Sequence, residues 1–157
     1  MNVVRALLAA IVFACSLAQA AGQRDDVLRT FREYAVLNAD FVRSVSAGTG
    51  ISGKSYAQLR REAEAYAEGP FEVALRQAQQ LLCSSQDDEL LATLLRVVAA
   101  TANSSSESPT DVLVHVAKCQ PAQFRALAAQ LPEQQRARLV RRSPELKAAL
   151  KLAARER

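Results

Sequence analysis

The sequence predicts an all-α protein, either a compact multi-helix bundle or an irregular helical solenoid of about six to eight helices, tied by one disulfide. Three observations lead there. Alanine, the strongest helix former, supplies 30 of the 157 residues. Glycine and proline number only five each, which argues against sandwich, barrel and collagen-like classes. Half of the chain is hydrophobic, with apolar residues recurring at steps of three and four; this pattern excludes a disordered polymer and marks amphipathic helices. The length suits one domain with a substantial core.

Residues 1–20 have the three parts of a secretory signal peptide. Arg5 charges the n-region, Ala6–Ala14 form the apolar stretch, and Ala18-Gln19-Ala20 matches the small-residue cleavage pattern. The apolar run is too short to span a hydrocarbon core of about 30 Å. Cleavage after Ala20 removes Arg5 and leaves residues 21–157 as a single helical domain with 19 cations, 16 anions and a net charge of +3. Val12-Phe13-Ala14-Cys15 resembles the lipobox of bacterial lipoproteins, which implies a lipid on Cys15 as an alternative fate. Phe13 departs from the small or β-branched residue usual there.

Export gives the remaining cysteines a meaning. Cys83 and Cys119 form an even pair in a disulfide-permissive compartment. A bond across their 36-residue separation would restrict the unfolded chain by about 4 kcal/mol in the chain-entropy model.

Along the mature chain, Asp25 and Asp26 are expected to open the first helix, where the macrodipole favours negative charge. Val27, Phe31, Tyr34, Asn38, Phe41 and Val45 then form one face, with Asn38 at the solvated edge of a heptad-like stripe. A glycine-rich loop follows at Ser46–Gly53. The second helix is expected over Ser55–Glu68, with Tyr56, Leu59, Ala63 and Tyr66 on one face and Gly69-Pro70 as its stop. Phe71, Leu75, Ala78, Leu81 and Leu82 mark a third helix reaching Cys83. Leu90, Leu91, Leu94, Leu95, Val97 and Val98 give the helix beginning at Asp87 so wide an apolar arc that it belongs at the centre of the fold.

Residues 103–108 form a polar linker. Beyond it, Pro109, Pro121, Pro132 and Pro144 each suit the first turn of a short helix, with Ser143 a good N-cap. Superposing the four segments gives weak agreement and no demonstrated repeat. Val112–Val116 has strand propensity, but with no second strand to pair it reads as helix.

Gly48-Thr49-Gly50-Ile51-Ser52-Gly53-Lys54-Ser55 matches the phosphate-binding pattern G-x-x-x-x-G-K-[ST] letter for letter. The pattern should follow a buried strand, but the residues before it continue a helical stripe, and no later apolar run ends in a magnesium-binding carboxylate. The reading is therefore an interhelical loop. A single histidine removes most zinc and Ser/His/Asp chemistry, and His115, in an apolar run, reads as a partly buried structural residue. Glu62, Glu64 and Glu68 read as a solvated charged face with Arg60 and Arg61.

Charge is the better functional clue. Residues 132–157 hold eight cations against three anions, while the rest of the mature chain sums to −2. Arg136, Arg138, Arg141, Arg142, Lys147 and Lys151 are the candidate contacts to a polyanion or an anionic envelope surface. No aromatics are interleaved to stack bases, so nucleic acid is not the expected partner. The expectation is an exported, non-enzymatic binding or accessory module recognising another macromolecule, with a protein as partner and no catalytic residue, cofactor, metal or small-molecule substrate. The alternative is an envelope-surface protein held by its basic C-terminal helices or by lipidated Cys15. A P-loop nucleotide-binding protein comes third.

Overall fold

Apolar stripes at helical spacing need one another for cover, and here they find it around a single central helix. A computed structural model describes residues 2–101 and 108–151, with the side chains of 21–101 and 108–150. Among the described residues, eight α-helices follow in order: α1 (Asn2–Ala47), α2 (Tyr56–Tyr66), α3 (Glu72–Ser84), α4 (Asp88–Ala100), α5 (Ser108–Cys119), α6 (Pro121–Ala129), α7 (Glu133–Arg142) and α8 (Pro144–Lys151). Val112–Val116 is helical, and the only extended pairing among the described residues is one bridge between Ile51 and Lys54.

Helix α4 is the hub. Its side chains Leu90, Leu91, Leu94, Leu95, Val98 and Ala99 are fully buried, and α1, α3, α5, α6 and α7 pack around it. This is the bundle form of the prediction, and the proline-punctuated helices close over the hub instead of extending as a solenoid. Ser143 caps α8, its Oγ accepting from the amides of Glu145 and Leu146. The Cys83 and Cys119 sulfurs lie 2.00 Å apart, joining the end of α3 to the end of α5.

Helix α1 runs antiparallel to α2 and α3, as its ring contacts record. Phe31 meets Phe71 edge-on at 5.6 Å, Tyr34 stacks on Phe71 at 4.0 Å, and Phe41 faces Tyr56 at 5.6 Å. Near its middle, Arg24 donates to Asp87 and Glu89. These bonds hold the guanidinium pKa above its usual value. Asp87 in turn caps α4 by accepting from the Leu90 amide at 3.0 Å. Burial would raise the Asp87 pKa, but the Arg24 guanidinium and the Leu90 amide outweigh it, and the carboxyl sits below its ordinary value.

Three expectations are corrected. The first helix starts at Asn2, not at Asp25, and continues unbroken through 18–20, so both aspartates lie inside it. Gly69-Pro70 does not stop α2. Residues Ala67–Phe71 form a π-helical turn that carries the chain directly into α3. Proline removes one backbone donor and crowds the carbonyl four residues back, and the wider π turn accommodates both without a break. His115 is exposed, because Val112, Leu113, Val116 and Ala117 occupy the buried arc of α5 and leave it on the solvent side.

Candidate binding groove

The stripe on α1 changes character along its length. Val27, Phe31 and Tyr34 are buried, whereas Asn38 and Phe41 are half-buried and Val45 is exposed. Beyond Tyr34, α1 and α2 stay paired, but nothing among the described residues roofs the space between them. The result is a groove of about 530 Å³, walled by α1 and α2 and closed at one end by Ala100 of α4 and its C-cap Thr101. Its volume falls within the range of about 300–1,000 Å³ common for binding sites.

The walls repeat one spacing. Tyr34, Asn38, Phe41 and Val45 line the groove from α1, and Tyr56, Arg60 and Ala63 of α2 with Ala67 of the π turn line it from the other side. Both sets step by four, three and four, the rhythm of a coiled-coil seam. Arg60 is paired with Glu64 at 2.8 Å, so its charge is answered on its own helix.

Tyr34 is the polar feature of the deep end. It is 96% buried, its ring is held on Phe71, and among the described residues its hydroxyl has no hydrogen-bond partner. Burial pushes its pKa up. Behind the groove end, Arg142 donates to the Thr101 carbonyl and to Thr110 Oγ1, while its Nε is buried without a partner. Burial lowers the Arg142 pKa, and no carboxylate pairs with it among the described residues.

The six basic residues singled out from the sequence divide by role. Arg136 donates to the Ala129 carbonyl at the end of α6, and Arg142 to Thr101 at the end of α4. Each thereby satisfies an orphan carbonyl and answers a helix macrodipole. Arg141 folds back on the Ala137 carbonyl at 3.2 Å, and with Arg138 and Lys147 it is exposed. The side chain of Lys151 lies outside those described.

The glycine-rich loop is committed to its own turn. Ile51 and Lys54 exchange both backbone hydrogen bonds at 3.0 Å, and Ser52 and Gly53 take φ values of 56° and 77° between them. This is a tight hairpin turn of the kind that requires two positive-φ residues. Gly50 is needed because a Cβ there would lie 2.2 Å from the Lys54 carbonyl oxygen. Lys54 Nζ is paired with Glu62 at 2.5 Å, and Ser55 caps α2 in a reciprocal capping box with Gln58. The Ile51 and Lys54 amides, the Lys54 ammonium and the Ser55 hydroxyl are thus bonded locally, and the loop follows a helix.

Sequence reasoning found the α1 stripe, but not the groove. Periodicity identifies the apolar face of a helix and leaves open what covers it. Among the described residues no helix is long and apolar enough to cross a membrane, and no three metal-ligating side chains cluster. The chain matches no protein-family model, no curated protein and no solved structure.

Proposed function

We propose that this chain is an exported, non-enzymatic binding module that recognises another macromolecule, a protein, through the groove between α1 and α2. The observation that carries this reading is the set of exposed apolar side chains lining the groove, Val42 and Val45 on α1 and Tyr56 on α2, which are 40%, 53% and 42% exposed. Apolar patches rimmed by charge mark interaction sites on folded proteins. A photo-cross-linking residue placed at Val45 or Tyr56 tests it in intact cells. A discrete adduct from these two positions, and none from the exposed Val73 on α3, is the expected outcome. Equal labelling from all three positions overturns the reading. Export is tested by N-terminal sequencing of the protein recovered from the cells: Ala21 is expected first, and a retained Met1 counts against it.

A second reading rests on Arg138, Arg141 and Lys147, the exposed cations of α7 and α8. Unlike Arg136 and Arg142, they answer no helix end in another part of the fold. They support association with an anionic envelope surface, to which a lipid on Cys15 would add a second anchor. Sedimentation with anionic vesicles should weaken as salt rises and fall away when all three are changed to alanine. Sedimentation unaffected by that triple change removes this reading.

A further inference from the structure

We infer that the groove receives an amphipathic α-helix of the partner protein, about three turns long, which places a carboxylate against the Tyr34 hydroxyl. The inference rests on the groove being the recognition face and names what that face is shaped to hold.

Geometry selects a helix. The α1 wall spans Tyr34 to Ser46, which at 1.5 Å per residue is about 18 Å, or just over three turns. The two walls are antiparallel helices with matching four-three-four ridges, so they form two sides of a three-helix seam whose third member is absent among the described residues. Ala63, Ala67 and Ala100 keep the floor shallow, which lets a third backbone approach closely. The lips at Val42, Val45 and Tyr56 are open along their length, as suits an element laid in from the side. A small apolar ligand would instead be enclosed over most of its surface.

Chemistry selects the charge at one end. Tyr34 lines the groove with a hydroxyl that makes no hydrogen bond to another described residue, and the cationic Arg142 lies behind Thr101 at the same end. A carboxylate on the incoming helix accepts from the phenol and meets the positive field of that guanidinium. A lysine in the same place would be repelled by that guanidinium and could not accept from the phenol. Asn38, one turn along the wall, is the polar position that fixes register in such a seam.

The test uses a displayed library of 16-residue helical peptides, panned on the full chain and counter-selected on a Val45→Asp, Tyr56→Asp variant with unchanged helical circular dichroism. The expected winners share an apolar i, i+3, i+4, i+7 stripe and one Asp or Glu near the end that meets Tyr34. Their helicity should rise on binding, and the counter-selection variant should bind them at least about tenfold more weakly. Tyr34→Phe keeps the ring stacked on Phe71 and should remove most of a roughly tenfold preference for the Glu peptide over its Gln counterpart. Winners without a carboxylate, or a preference untouched by Tyr34→Phe, overturn the inference while the groove remains the recognition face. Laurate binding lost in the double-Asp variant, with no peptide enriched, overturns the inference and the protein reading together and leaves the groove as a site for a small apolar ligand. No enrichment of peptides and no laurate binding overturns both.

Discussion

The two halves of the α1 stripe carry the same spacing and meet opposite fates. Val27, Phe31 and Tyr34 are closed in by the π turn, α3 and α4, whereas Phe41 and Val45 look into open space between α1 and α2. The difference lies in the neighbours. Helix α4 ends at Ala100, level with the deep end of the groove, so its apolar arc covers only the first half of the stripe. A stripe is thus a demand for cover, and the length of the opposing helix decides how much is met inside the chain.

Substitutions in the two halves should separate stability from recognition. The largest effect is expected from Phe31→Ala in the closed half, where a fully buried ring loses Phe71 and its neighbours. Urea unfolding should show a loss of about 3–5 kcal/mol. Next comes Asp87→Ala, which removes the α4 cap and the anchor for Arg24, at about 1–2 kcal/mol. Asp87 also sets a pH dependence. Its carboxyl is depressed in the folded state, so its contribution is present above the unfolded value near 3.9 and is lost as the pH falls through the folded value. Stability of Asp87→Asn should therefore fall less steeply below about pH 4.

A smaller effect is expected where the halves meet. The Tyr66 hydroxyl donates to Glu33 at 2.5 Å, and burial together with that carboxylate pushes its pKa to about 12. Below pH 10 both folded and unfolded phenols are protonated and the contribution is complete. Between about 10 and 12 the unfolded phenol ionises first, so stability declines. Alkaline titration of Tyr66→Phe should show a shallower decline in that window. The smallest stability change belongs to Val45→Ser in the open half, within about 0.5 kcal/mol. A larger loss there would mean that the groove is part of the core.

The closed half was legible in the sequence, and so were α3 and the hub α4, because Leu75, Ala78, Leu82 and the leucines of α4 occupy one arc each. The disulfide followed from two cysteines left after the expected cleavage, and the prolines marked the starts of the short helices. What escaped depended on tertiary context. Periodicity places Asn38 at the solvated edge of the stripe, and only the pairing of α1 with α2 makes that edge a half-buried groove wall. His115 sits among valines in sequence but between two buried pairs on the helix, and only the final orientation of α5 decides its exposure. Arg136 and Arg142 looked like members of a basic surface, and their use as caps for α6 and α4 depends on helices distant in sequence.

The π turn has one more consequence. From Leu59 an undisturbed helix would bring its inward positions to about 63, 66, 70, 73 or 74, 77 and 81. The buried residues from the end of the turn onward are Phe71, Ala74, Leu75, Ala78 and Leu82, each one place later. The widened turn inserts one residue, equivalent to about 100° of rotation, and so cancels a slip in phase. Without it, α2 and α3 would show different sides to α1. Excising Gly69 would move the buried set to 70, 73, 74, 77 and 81, so that an ordinary α-helix would carry the same edge with no π turn at all.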